Sequence, residues 1–176
     1  MILFRDCDRR FPFLWETADQ PAARWHAHRE GPAQYLADTP SGAWAEFLRH
    51  EGITEEADLA GVERALWAVD VAVDTIAFAA PKLARGAQFG GIDSYPGCQV
   101  EARRLRATGA QGVRARSAAL RPGGATGWRV EGGEKDAPAR DGEVLVVFGR
   151  RPDFVGWPVV EAGRPPARLL PRVRPL

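Results

Sequence analysis

Three side chains between Ala23 and Phe47 have the types and spacing to do chemistry: Arg24, Tyr35 eleven residues on, and Glu46 eleven residues further. Brought together, they could grip a molecule carrying an anionic group, an aromatic ring and a developing positive charge. A planar guanidinium holds a phosphate through paired hydrogen bonds better than an ammonium does. A phenol stacks on a ring and offers a hydroxyl. A carboxylate stabilises positive charge where it develops. Ser117 could bind a ligand or orient an attacking group, although a serine at a strand end can equally be turn chemistry. Each residue also has a plainer reading. Glu46 could pair with Arg49 or His50 across one helical turn, an interaction of a few tenths of a kcal/mol. Arg24 could be one more surface charge, and Tyr35 a half-buried core ring.

The elements that must position these groups can be read from periodicity and punctuation. Alternation around Arg24 predicts a strand, which would send His26 and His28 to the same side as Arg24 and let His26 line the site. Two histidines without a third ligand at metal spacing do not make a metal site. Ala33 to Ala37 predicts a second strand with Tyr35 on one face. Thr39 is a candidate N-cap, Pro40 suits the first helical position, and Ala43, Trp44, Phe47 and Leu48 form an apolar stripe that carries Glu46, with Gly52 as the stop. A short strand is expected at Ile2 to Phe4, and a longer one at Val62 to Asp74, where Ala65, Trp67, Val69, Val71 and Val73 share a face. The glycines Gly86, Gly90 and Gly91 lack the spacing of a dinucleotide fingerprint, and no lysine stands in a phosphate-loop context. Ser94 and Pro96 open a helix that Gly109 closes, with Cys98, Val100 and Leu105 facing inward. Gly112 to Arg116 should be a strand delivering Ser117, followed by a turn at Pro122 to Gly124 and strands at Trp128 to Val130 and Glu143 to Phe148. From Arg150 on the chain is rich in Pro and Arg, with one strand-like piece at Trp157 to Val160, and is expected to pack along the surface or lie partly extended.

At 176 residues the chain suits one domain and can bury a conventional core. Its 24 basic and 23 acidic residues leave a formal charge of +1, so no global field favours nucleic acid or an anionic membrane, and any substrate site must be local. Only Lys82 and Lys135 among the basic residues are lysines, so arginine abundance alone carries no functional message. The two cysteines, Cys7 and Cys98, lie far apart and indicate neither a zinc cluster nor a disulfide framework. The amino end carries charges where a secretory leader needs an apolar run, and no segment has the roughly 20 apolar residues of a membrane span. A cytoplasmic protein is expected.

The segments RFPFLWE, AARWH and GPAQYLADTPSGAWAEFLRH carry a resemblance to the RES domain, a bacterial family named for an arginine, a glutamate and a serine. The family pattern GRW…YxAxxxxxAxxE is met by Ala23-Arg24-Trp25, Tyr35-Leu36-Ala37 and Ala43 through Glu46, and its later serine by Arg116-Ser117-Ala118. The chain departs from the pattern at Ala23, where the family has glycine, and at Arg116, where it has proline. The resemblance spans about Arg5 to Phe148. It implies an α+β fold with the split β-sheets and flanking helices of ADP-ribosyltransferases, with residues 1–149 as the catalytic domain and 150–176 packed on that domain. It further implies an NAD+-degrading toxin that cuts the nicotinamide–ribose bond as a phosphorylase or glycohydrolase. NAD+ would be the substrate and inorganic phosphate a candidate co-substrate, with no metal. Glu46, Arg24, Tyr35 and Ser117 would be catalytic, and Arg24, Tyr35, Ser117 and His26 would contact the dinucleotide. A helix-turn-helix antitoxin would be the partner, with no direct contact to nucleic acid or membrane, and self-association is open. Two alternatives accompany this reading: transfer of ADP-ribose to a protein, and a catalytically silent nucleotide- or partner-binding domain in which Ala23 and Arg116 spoil the site.

Overall fold

The computed structural model describes all residues 1–176. Nine strands run through the chain: β1 Ile2–Cys7, β2 Ala33–Ala37, β3 Arg64–Asp70, β4 Phe78–Ala79, β5 Gly112–Arg116, β6 Trp128–Val130, β7 Glu134–Asp136, β8 Glu143–Phe148 and β9 Val155–Gly163. Three α-helices accompany them: α1 Pro40–His50, α2 Arg85–Phe89 and α3 Tyr95–Ala107. Seven strands form one mixed sheet in the order β4-β5-β8-β2-β1-β3-β9, and β6 and β7 form a separate hairpin. Only the β4–β5 pair is parallel. The sheet has a weak seam, because β1 and β2 are joined at the single pair Phe4 and Ala37, whereas β1 pairs β3 over six positions and β2 pairs β8 over five. The halves on either side of that seam are the split sheets of the expected α+β class.

Both helices that matter cover the same face. Helix α1 packs Ala43, Trp44, Phe47 and Leu48 against Phe4, Ala37 and Leu66. Helix α3 packs Cys98, Ala102 and Leu105 against Ala33, Tyr35, Val113, Val144 and Val146. The opposite face buries Leu3, Leu36, Val69, Leu145 and Val147 under Leu14 and Phe154. A gap is left between α1 and α3, directly above the seam.

Local chemistry explains the element ends. Thr39 Oγ1 accepts the Gly42 N–H at 3.0 Å to cap α1. At the other end Gly52 takes φ +66°, and Ile53 N–H donates to Leu48 O at 2.9 Å, closing a glycine stop. Strand β3 ends at Asp70, short of the expected Asp74, because the chain turns there: Val73 N–H donates to Val71 O at 2.8 Å and a 3-10 turn follows at Val73–Thr75. On α3, Val100 is 58% exposed, not inward as expected. The buried stripe is Cys98, Glu101, Ala102 and Leu105, and Glu101 is satisfied by Lys82 N–H and by Arg104.

The strand-like piece of the carboxy-terminal segment runs nine residues, not four, and forms the edge of the main sheet against β3. Pro158 is tolerated there because the outer edge of an edge strand needs no N–H donor. Leu169 and Val173, in and just after a 3-10 turn at Ala167–Arg172, enter the same core cluster as α1. No helix is long and apolar enough to cross a membrane.

Candidate active site

The gap between α1 and α3 is a cleft of about 300 Å³, within the range of small-ligand pockets. Arg24, Tyr35, Glu46, Arg49 and Tyr95 line it together with the seam residues Phe4 and Ala37.

Arg24 does not lie on a strand. Ala23 N–H donates to His26 O at 3.0 Å and His26 N–H returns to Ala23 O at 3.3 Å, so the segment closes a tight turn. The Gln99 side-chain amide of α3 fastens this turn by donating to Ala23 O and His26 O. The expected shared direction of Arg24, His26 and His28 therefore fails. His26 is fully buried, His28 is exposed, and Arg24 is 8% exposed and turned into the cleft. The Arg24 guanidinium donates to Ser94 Oγ at 3.0 Å and to the carbonyls of Ala87 and Gly90, and lies over the Tyr95 ring at 4.8 Å.

Tyr35 presents its ring to the cleft, but its hydroxyl is already engaged: it accepts the Trp25 N–H at 2.9 Å and sits 3.0 Å from His26 Nδ1. Burial pushes its phenol pKa well above the ordinary value, so it stays neutral. His26 lies behind Tyr35, does not line the cleft, and is held below its ordinary pKa by burial. Its structural part is to brace the Tyr35 hydroxyl.

Glu46 is half-buried and pairs with neither Arg49 nor His50. Its Oε1 accepts the Ser117 hydroxyl at 2.8 Å and, more weakly, the Ala119 N–H at 3.4 Å. The Ser117 oxygen in turn accepts N–H groups from Ala119 at 3.2 Å and Leu120 at 3.1 Å. Ser117 is buried and does not line the cleft. It reaches the site through Glu46, fixing one carboxylate oxygen and leaving the other free of protein partners. Strand β5 delivers Ser117 to this point, its last residue Arg116 pairing with Glu143 of β8.

A further site residue is Arg49, which the sequence suggests only as a helical partner for Glu46. Arg49 is 4% exposed, lines the cleft and donates to the carbonyls of Ala118, Phe89 and Gly90. Burial first, then the charge of Arg24, pull its pKa below the ordinary guanidinium value. The available signal was position: Arg49 follows Ala45 by four residues and so shares its buried side.

A model of the RES domain matches residues 5–169 of the chain. Among solved structures, a chain of the MbcT–MbcA toxin–antitoxin complex from M. tuberculosis superposes with a TM-score of 0.56 at 15% sequence identity, covering 91% of this chain and 84% of that one. At that identity the likeness establishes the shared fold. No curated protein matches the sequence.

Proposed function

Because this chain belongs to the RES domain family, we propose that it cleaves NAD+ at the nicotinamide–ribose bond and acts as the toxin of a toxin–antitoxin pair. The observation that carries this reading is the half-tethered Glu46 carboxylate: one oxygen is held by Ser117 and the other is free, in a cleft shared with Arg24 and the Tyr35 ring.

When the C1′–N1 bond breaks, its electron pair goes to the nicotinamide nitrogen and the ring leaves neutral. Positive charge builds on the ribose, spread over C1′ and the ring oxygen. Glu46 supplies the opposing charge, as carboxylates do in glycoside cleavage, and a preset orientation avoids reorganisation during the reaction. Tyr35 offers its ring face to the nicotinamide, while its hydroxyl serves the Trp25 turn. Arg24 holds a phosphate of the dinucleotide, exchanging its present carbonyl partners for charged oxygens, which accept stronger hydrogen bonds. The acceptor at C1′ is inorganic phosphate, giving an ADP-ribose phosphate, or water, giving ADP-ribose. The toxin–antitoxin complex formed by the structural relative supports an antitoxin partner, for which the family resemblance suggests a helix-turn-helix protein acting in the cytoplasm.

The test is incubation of the purified chain with NAD+, with and without inorganic phosphate, following nicotinamide release and the ADP-ribose product by chromatography. Stoichiometric nicotinamide release is expected, and the phosphate arm identifies the acceptor. A folded, inhibitor-free protein that releases no nicotinamide overturns the reading, and ADP-ribose found on a protein instead of in solution redirects it to transfer.

A further inference from the structure

We infer that Arg49 is the second guanidinium of a diphosphate-binding subsite, paired with Arg24. The inference rests on the reading of the cleft as a dinucleotide site and adds to it a residue that the family pattern does not mark and the sequence suggests only as a helical partner for Glu46.

Both arginines are more than nine-tenths buried, and every hydrogen-bond acceptor they reach is a carbonyl, hydroxyl or thiol. Two desolvated cations side by side, with the charge of Glu46 nearby but no carboxylate in hydrogen-bond contact with either, are costly in a domain that pairs many of its other arginines directly with Asp or Glu. Such an arrangement is explained by an anion that arrives from outside. The two guanidiniums also converge: Arg24 Nη2 donates to Gly90 O at 2.7 Å and Arg49 Nη2 donates to the same oxygen at 2.8 Å. One carbonyl oxygen thus stands where the oxygen of a bridging anion would accept from both. Arg49 keeps a further donor in reserve, since its Nε is buried without a partner. Two guanidiniums offer paired forks, which suits the several charged oxygens of a diphosphate better than a single phosphate.

The spacing fits the substrate. Glu46 and Arg49 are three residues apart on α1, so their Cβ atoms lie roughly 5–6 Å apart on one side of the helix. Both side chains line the cleft, so a ribose seated against Glu46 has its 5′-phosphate within the same pocket as the Arg49 guanidinium. The segment after β5 braces both, Ser117 on Glu46 and Ala118 O on Arg49.

The experiment is calorimetric titration of the full chain with inorganic pyrophosphate, inorganic phosphate and adenosine, for the parent, Arg49→Gln and Arg49→Lys. The parent should bind pyrophosphate at least about tenfold more tightly than phosphate. Arg49→Gln should lose about 10- to 100-fold of the pyrophosphate affinity with adenosine binding unchanged, and Arg49→Lys, which keeps the charge but not the fork, should fall between. Pyrophosphate bound equally well by the parent and Arg49→Gln overturns the inference. Because Arg49 also ties three carbonyls, the parent itself provides a test that needs no variant: the NMR resonance of its Arg49 Nε–H should shift on pyrophosphate saturation, and an unmoved resonance overturns the inference too. Failure here and failure of the NAD+ reading separate cleanly. Nicotinamide release with Arg49-independent pyrophosphate binding removes only the subsite, while Arg49-dependent binding without nicotinamide release removes only the reaction.

Discussion

Replacing Ser117 by alanine removes a single oxygen atom, yet that atom has two jobs. It donates to Glu46 Oε1 at 2.8 Å and accepts the N–H groups of Ala119 and Leu120. On stability, Glu46 is half-exposed, so water can replace the lost donor there. The Leu120 N–H, in contrast, is left in a buried turn without its acceptor. An unsatisfied buried donor costs about 1–3 kcal/mol, and for a chain of this size that lowers Tm by roughly 2–12 °C. On activity, the carboxylate keeps its charge and loses its orientation. The ceiling is the loss of the charge itself, about 10²- to 10³-fold. Misplacement of a retained group should cost less, so we expect kcat for nicotinamide release to fall about 10- to 100-fold with KM for NAD+ little changed. Ser117→Thr, which restores the hydroxyl, should recover most of that loss. The assay is steady-state nicotinamide release at a temperature well below both melting points. Full kcat in Ser117→Ala would refute the idea that Ser117 works by aiming Glu46.

Two further outcomes follow from the structure. Burial holds the His26 pKa below its unfolded value, so the unfolded chain binds the proton more readily, and stability should fall as pH drops from about 7 through the unfolded pKa near 6.5 towards the folded one. The urea midpoint measured between pH 7.5 and 5 should show that slope, and His26→Gln should flatten it; an unchanged slope in the variant would assign it to other groups. Deleting residues 150–176 should leave β3 as a bare edge and strip Leu169 and Val173 from the α1 core, so we expect an insoluble or unfolded product by circular dichroism. A folded 1–149 fragment with a native-like melt would make the segment an appendage.

What could be read from the chain was whatever local chemistry decides. Thr39, Pro40 and the stripe of α1 announced the helix, and with it the placement of Glu46, because capping and 3.6-residue periodicity act within a few residues. Alternation through Ala33 to Ala37 and Gly112 to Arg116 announced strands for the same reason. The Arg24 segment misled because R-W-H-A-H alternates like a strand. Its turn is fixed by Gln99, more than seventy residues away, and no local pattern encodes that bond. The full length of β9 was hidden likewise, since an edge strand containing Pro158 is specified by its partner β3 more than by its own composition. Ser117 was located at the end of β5 but its direction was not: it faces Glu46 and a turn, not the cleft. Arg49 was read only as a helical partner for Glu46 because a guanidinium on a helix reads as a solvated charge until the elements above it, the end of α2 at Phe89 and Gly90 and the segment after β5 at Ala118, are seen to bury it.

The central claim is that the free oxygen of Glu46 stabilises the sugar cation as nicotinamide departs. Single-turnover nicotinamide release by the parent and by Glu46→Gln, both shown folded by their melting curves, tests it most directly. We expect the Gln variant to bind NAD+ within a few-fold of the parent and to release nicotinamide about 10²- to 10³-fold more slowly; release at the parental rate would contradict the claim.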